Sequence, residues 1–237
     1  MNKTIHYCWF GGNPKSDLIE KCIASWKKYF PDFEIKEWNE SNFDVRQNDY
    51  VSQAYDAKKY AFVSDFARFK ILHEQGGLYF DTDVEVIKPF YEFLGDEAFA
   101  AFETDEYVAP GLVLWVKESQ NKILERLLEL YSGLKFINPD GTQNTTTICV
   151  YFTEMLKEYG LKKDDGKVQA CGDFKIYPRE YFCPFNDLTG ELKKTKNTCA
   201  IHWYSKTWMN KKEIIRNKIT RVIHRYFGID FWRRFRR

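Results

Sequence analysis

No stretch of the chain approaches the roughly 18 consecutive apolar residues that a membrane-spanning helix needs. There is no Cys-x-x-Cys pair either. The six cysteines (Cys8, Cys22, Cys149, Cys171, Cys183 and Cys199) are widely scattered, which argues against a structural zinc site. The first ten residues lack the apolar core of a secretory leader, so a disulfide framework is not expected, and the expectation is reduced thiols in the cytoplasm. Internal repeats and low-complexity linkers are absent. The net charge is small, +2 from 36 basic and 34 acidic residues. With 44% hydrophobic and 30% charged residues over 237 positions, the composition excludes a disordered chain and allows one large domain with a sizeable core.

The aromatic content is high, 18%. Such residues either fill a core or present faces on which bases and sugar rings stack, and composition does not separate the two. The small net charge hides an asymmetry. Residues 211–237 carry ten Lys or Arg against two acidic residues, whereas the remainder carries 26 against 32. This pattern divides the chain into a mildly acidic body, 1–210, and a basic appendage, 211–237.

Hydrophobic spacing predicts a strand over 5–10, a helix over 17–29 and a strand over 33–38, an order that signals an α/β fold with a partly parallel, mixed sheet. A helix is predicted over 57–74, where Phe62, Phe66 and Phe69 share a side, stopped by Gly76 and Gly77. Short strands follow at 78–80, 84–86, 98–102 and 111–116. Helices are predicted over 121–131 and 149–159, with a last strand over 199–204. In the appendage, Ile215, Ile219, Val222 and Tyr226 fall on one helical face and most of the basic residues elsewhere. That pattern suits a helix lying on an anionic bilayer, one packing on the body with its basic face solvated, or one meeting a partner protein. Phe231, Trp232 and Phe235, interleaved with arginines, favour the bilayer. Nucleic acid is not an expected partner, because the basic residues are confined to the appendage.

The chemistry-bearing pattern is Asp81-Thr82-Asp83. Carboxylates at i and i+2 of an extended segment face one side and suit a hard divalent cation such as Mg²⁺ or Mn²⁺. Such an ion can neutralise a departing diphosphate. Alone, the pair reads more simply as a solvated turn. It follows a short apolar strand, however, and α/β sheets bind ligands beyond the carboxyl ends of their strands. The helix before it carries Asp65 and Arg68 at i and i+3. These could form a surface ion pair of a few tenths of a kcal/mol. They could instead bind sugar hydroxyls through the carboxylate and a hydroxyl or phosphate through the guanidinium.

The run 61–68 (Ala-Phe-Val-Ser-Asp-Phe-Ala-Arg), followed by Leu72 and by 76–83 (Gly-Gly-Leu-Tyr-Phe-Asp-Thr-Asp), resembles the signature of family 32 glycosyltransferases. These DXD-containing sugar transferases occur in capsular-polysaccharide clusters and among yeast mannosyltransferases, and the run is also similar to the glucosyltransferase domain of large clostridial toxins. The opening 6–12 (His-Tyr-Cys-Trp-Phe-Gly-Gly) and the segment 200–208, with its His202 and Ser205-x-x-Trp208, resemble the opening and closing motifs of the same enzymes. The resemblance implies a GT-A-like fold with a Rossmann-like nucleotide-binding half. It implies transfer of a hexose from a nucleotide sugar, UDP-linked by the toxin-like opening motif, to a saccharide acceptor. It also implies surface-polysaccharide synthesis and retention of anomeric configuration, and the basic appendage, if it lies on the inner face of the plasma membrane, would bring the enzyme to a lipid-linked acceptor. Carried over by residue, Trp9 would stack on uracil, with Phe10 and Gly11 beside it. Tyr79 and Asp81 would lie along the ribose and diphosphate, and Asp65 and Arg68 would grip the sugar. Asp81, Asp83 and His202 would hold Mn²⁺ or Mg²⁺, and Ser205 and Trp208 would close over the diphosphate. Acceptor residues have no counterpart beyond a loose match at 141–147. Two alternatives remain open. One is a haloacid dehalogenase-type phosphatase with Asp81 as nucleophile, Asp83 as acid, and Asp164, Asp165 or Asp173 as later metal ligands. The other is a catalytically inactive sugar-nucleotide binder.

Overall fold

A computed structural model describes residues 2–205 and 211–228. Strand β1 (Thr4–Cys8) is buried along its whole length and starts the sheet. Helix α1 (Asp17–Tyr29) buries Ile19, Cys22 and Trp26 and carries acids in its first turn and lysines in its last, as the helix dipole favours. It returns the chain to β2 (Glu34–Trp38), which pairs in parallel with β1.

Helix α2 (Asp49–Asp56) was not foreseen as a separate element. Its N-terminus is capped by the Asn48 side chain. Its C-terminus is closed where Lys58 takes a left-handed conformation (φ +56°) and Lys59 donates its amide back to Ala54. That break moves the start of α3 (Tyr60–Gln75) to Tyr60, three residues later than the spacing predicts. Helix α3 ends at Gly76 and Gly77, both with positive φ. At Gly77 a Cβ would lie 2.8 Å from the Thr4 carbonyl and 2.9 Å from His6, so both the conformation and the space there require glycine.

The chain then forms β3 (Gly77–Tyr79), β4 (Val84–Val86), a 3-10 turn (Tyr91–Gly95), β5 (Ala98–Ala101) and β6 (Leu114–Val116). Helices α4 (Lys122–Gly133) and α5 (Ile148–Lys157) follow. Next come the hairpin β7 (Gln169–Cys171) and β8 (Phe174–Tyr177), the short α6 (Arg179–Phe182) and β9 (Ala200–His202). The β7–β8 hairpin and α6 leave no clear period in the sequence, because three- and four-residue elements are too short to show one.

The main sheet has seven strands in the order β2-β1-β3-β6-β5-β8-β7. The pairs β1–β3 and β5–β8 are parallel, and β6 runs antiparallel to both neighbours, so the sheet is mixed, as the sequence pattern predicts. One core fills the side covered by α2, α3, α4 and α5, and a second fills the side covered by α1, the 3-10 turn and α6. A separate two-stranded ribbon pairs β4 with β9 and sets Val84 opposite His202.

In the appendage, α7 (Lys211–Phe227) meets the body through a polar residue. Arg221 donates to the Asp187 carbonyl at 2.8 Å, pairs with the Asp187 carboxylate, and lies 5.3 Å over the Phe185 ring. Ile219 and Tyr226 are 57% and 76% exposed, and Val222 is exposed with them. Ile219, Val222 and Tyr226 therefore face outward, and the Ile215 side chain lies outside the described ones. Phe231, Trp232 and Phe235 lie outside the described residues.

Candidate functional site

Strand β1 runs by way of α1 to β2 on one side and lies beside β3 on the other. The crevice at the carboxyl ends of β1 and β3 is thus the point where the strand order reverses, the place where α/β sheets bind ligands. Residues 9–11 enter it from β1, and residues 80–83 enter it from β3.

On the β3 side, Arg68 organises three groups. Its Nη2 donates to Asp65 at 2.9 Å, its Nη1 donates to Asp81 at 3.2 Å, and its Nε donates to the Ser64 carbonyl at 3.2 Å. The guanidinium sits 4.9 Å over the Tyr79 ring, and the Tyr79 hydroxyl donates to the other Asp81 oxygen at 3.1 Å. Asp65 and Arg68 are only 8% and 3% exposed, so the surface-pair reading does not hold. It fails because α3 is buried on nearly all sides rather than along one stripe. Burial, reinforced by the charge of Asp81, pushes the Asp65 carboxyl up to about 7 against the pull of Arg68. Burial opposes the charge on Arg68, but Asp81, Tyr79 and Asp65 hold its pKa well above the ordinary value. Arg68 has little open surface toward a ligand; it acts by fixing the two carboxylates.

Gly111 makes this packing possible and was read in the sequence only as the start of a strand. Its carbonyl accepts the Asp81 amide at 2.8 Å, and a Cβ there would stand 1.9 Å from Asp81 Oδ2 and 2.6 Å from Arg68 Nη1. The first turn of α5 also reaches the cluster, through the Ile148 amide to Asp65.

Asp83 belongs to a second group. Its Oδ1 is 3.2 Å from His202 Nε2, and its Oδ2 accepts the Ser205 amide at 2.7 Å. Ser205 thus contributes its backbone here, where the sequence reading assigned it to cover the diphosphate. Burial disfavours the Asp83 charge, yet His202 and the Ser205 amide outweigh it and hold the carboxyl well below the usual carboxylate range. Burial likewise disfavours protonated His202, and Asp83 outweighs it, raising the imidazole pKa well above its ordinary value. His202 Nδ1 is buried without a hydrogen-bond partner, and the nearest carboxylate oxygen to it is Glu103 Oε1 at 3.9 Å. Glu103 was not singled out in the sequence, because nothing local marks it.

The metal assignment needs correction. Among the described residues no three His, Cys, Asp or Glu side chains converge on one ion. Asp81 is committed to Arg68 and Tyr79. The pair Asp83 and His202 does fit: ligand atoms about 2.1 Å from an octahedral ion lie about 3 Å apart, close to the 3.2 Å seen between Oδ1 and Nε2. Two protein ligands are enough for Mg²⁺-type sites, which take their remaining ligands from substrate phosphates and water.

On the β1 side, Trp9 is half-buried: it packs against the second core and also lines the wall of a cleft of about 480 Å³. Its Nε1 donates to the Asn13 carbonyl at 2.7 Å, and Lys15 Nζ lies 5.5 Å over the ring. Phe10 points the other way, into the core against Phe43, so a side-chain contact with a ligand is ruled out for it. Gly11 has φ +89°, and a Cβ there would meet the Tyr60 ring at 2.2 Å. Cys8 joins the two sides, lying beside Arg68, Tyr79 and Asp81. Trp208 lies outside the described residues.

The phosphatase alternative does not assemble. Both Asp81 oxygens are engaged. Asp173 accepts from Asn121 at 2.5 Å, and Asn121 in turn meets His73 near the end of α3, where β3 begins rather than where it ends.

Residues 16–100 match the family described as "glycosyltransferase sugar-binding region containing DXD motif", a span that includes Asp65, Arg68, Asp81 and Asp83. None of the curated proteins matches the chain. Among solved structures, the fold is similar to the PaToxG glycosyltransferase, with a TM-score of 0.51 and 22% identity over 66% of this chain and 69% of that one. Weaker likenesses are to a glycosyltransferase involved in glycosylating the major capsid of PBCV-1 (TM-score 0.48, 12% identity, 91% and 98% covered) and to the galactosyltransferase LgtC in complex with donor and acceptor sugar analogs (0.40, 12%, 92% and 93%).

Proposed function

We propose that the protein is a metal-dependent hexosyltransferase that moves a sugar from a nucleotide-sugar donor to a saccharide acceptor. The observation that carries this reading is the buried Asp65–Arg68–Asp81 cluster at the switch point of the sheet, at the carboxyl end of β3 and lying within the matched sugar-binding region. The ring of Trp9 offers a face for the base, with UDP the favoured nucleotide. Asp81, about a third of whose side chain remains open, lies along the ribose and diphosphate, and the fully buried Tyr79 acts only through its hydroxyl, which holds the Asp81 carboxylate from behind. Asp65, held by Arg68, accepts hydrogen bonds from hydroxyls of the transferred hexose.

Asp83 and His202 would hold Mn²⁺ or Mg²⁺, which would supply positive charge against the negative charge that gathers on a leaving diphosphate. Transfer with retention balances without a separate base: the acceptor hydroxyl oxygen bonds to the anomeric carbon, the bond from that carbon to the diphosphate breaks, and the acceptor proton passes to a diphosphate oxygen. Burial of Arg68 and Asp65 fixes their geometry before the donor arrives, so little reorganisation is needed at the reacting carbon.

For the acceptor, the outward ridge Ile219, Val222 and Tyr226 on a helix flanked by Arg216 and Arg225 supports docking on an anionic bilayer. Placement on the cytoplasmic face of the plasma membrane, with a lipid-linked acceptor and a role in surface-polysaccharide synthesis, is part of the same proposal. No helix among the described residues is long and apolar enough to cross a membrane.

Calorimetric titration of UDP and GDP, each with and without Mn²⁺, tests the donor site. UDP binding that requires Mn²⁺ supports the proposal, and absence of binding by either nucleotide overturns it.

A further inference from the structure

We propose that Glu103 is the positioning residue that fixes the tautomer and orientation of His202, so that His202 and Asp83 can share a divalent cation. The inference rests on the metal reading of that pair. A neutral imidazole carries one N–H. If Nε2 gives its lone pair to an ion beside Asp83 Oδ1, the proton must sit on Nδ1, and there it needs an acceptor. His202 Nδ1 is buried and has no hydrogen-bond partner, and Glu103 Oε1 lies 3.9 Å from it. The ring is thus strung between two carboxylates, Asp83 on Nε2 and Glu103 on Nδ1. An inward shift of about 1 Å brings Nδ1–H and Oε1 to hydrogen-bonding distance, about 2.9 Å.

The surroundings hold both partners in place. Glu103 opens a tight loop after β5. Its amide donates to the Tyr107 carbonyl at 2.8 Å, a Phe102–Val108 bridge closes the loop, and the Val108 amide donates to Thr153 Oγ1 at 3.0 Å. On the other side of the imidazole, the Tyr204 ring packs with its centroid 4.0 Å away. Tyr204 adopts a left-handed backbone (φ +51°), and its hydroxyl is 3.1 Å from Cys183 Sγ. A left-handed conformation is costly for a bulky residue, and here it sets the Tyr204 ring against the imidazole at an interplanar angle of 39°, which narrows the space in which His202 can turn. Glu103 then decides which nitrogen keeps the proton.

The test uses the full chain with Mn²⁺ as the probe, following the paramagnetic signal of free Mn²⁺ during titration. Glu103→Leu removes the acceptor at similar size, and Glu103→Gln keeps an acceptor without the charge. The expected result is a 10- to 100-fold loss of Mn²⁺ affinity in Glu103→Leu, as for other carboxylates behind ligating histidines, with a smaller loss in Glu103→Gln and unchanged thermal unfolding in both. In parallel, ¹⁵N-histidine spectra with Mg²⁺ should show His202 protonated on Nδ1 in the native protein and in Glu103→Gln, and should lose that signature in Glu103→Leu. Asp83→Asn and His202→Ala serve as references. If both of these abolish Mn²⁺ binding while Glu103→Leu stays within twofold of native, the role of Glu103 is overturned and the metal pair stands. If neither reference changes Mn²⁺ binding, the metal reading itself falls, and the role of Glu103 falls with it.

Discussion

Arg68 spends three of its N–H groups inside the protein, on Asp65, Asp81 and the Ser64 carbonyl, and this makes the site a preformed arrangement rather than one assembled by the ligand. Single substitutions around it should therefore separate chemistry from stability. Asp83→Asn removes the negative charge beside His202 while keeping an acceptor for the Ser205 amide. It is expected to lower turnover about a thousandfold and to abolish metal-dependent nucleotide binding, with the circular dichroism spectrum unchanged. Full activity in that variant would refute the assignment of Asp83. Gly111→Ala places a methyl group 1.9 Å from Asp81 Oδ2, and the carboxylate must swing off Arg68 to admit it. The expected cost is about 1–3 kcal/mol in urea unfolding, with at least about a tenfold weaker nucleotide affinity by calorimetry. Native affinity in Gly111→Ala would mean that the Arg68–Asp81 pair does not shape the donor site.

The elements are tied together by residues whose type alone does not announce it. His6, in the middle of β1, accepts from Trp38 Nε1 of β2 at 3.1 Å through Nδ1. Indole N–H only donates, so the His6 proton lies on Nε2 and is donated to the Gly76 carbonyl at 3.1 Å. One neutral imidazole thereby pins β1, β2 and the turn from α3 into β3. Burial, helped by Lys36, lowers its pKa to about 4 against the pull of the Gly76 carbonyl. The unfolded chain takes up this proton near pH 6.5, and the folded protein does so only near pH 4. The unfolded state therefore binds more protons inside that window, so this contribution is complete above about pH 6.5 and is lost as the pH falls toward 4, by about 3 kcal/mol in all. Urea midpoints measured from pH 7.5 to 4 should fall more steeply for the native protein than for His6→Asn. Parallel curves would remove His6 as the cause.

At the scale of the whole molecule, the appendage is the testable part. If α7 rests on the body through Arg221 and turns its apolar ridge outward, deleting 211–237 should abolish sedimentation with anionic liposomes and leave turnover on a water-soluble saccharide acceptor within about twofold, since no described residue of α7 reaches the crevice. Retained sedimentation in the truncated protein would exclude the membrane role.

Much of this was legible in the sequence. Helix α1, the helix through Asp65 and Arg68, the Gly76-Gly77 stop and the strand into Asp81 all show local periodicity or a local breaker, and such signals depend only on a residue's near neighbours in the chain. The mixed sheet followed from the order of those elements. The acidic pair was visible, but its division of labour was not. Asp81 turns to Arg68 and Asp83 to His202 because β9, more than a hundred residues downstream, pairs with β4 and sets His202 opposite Val84. Gly111, Glu103 and the inward burial of Phe10 were hidden for the same reason: each is defined by a neighbour distant in sequence. The residues by themselves determined which helices and strands form and which side chains carry charge. Only the packing of sheet and ribbon decided which charges meet, because a buried carboxylate must find a partner in space and the chain order does not say which one.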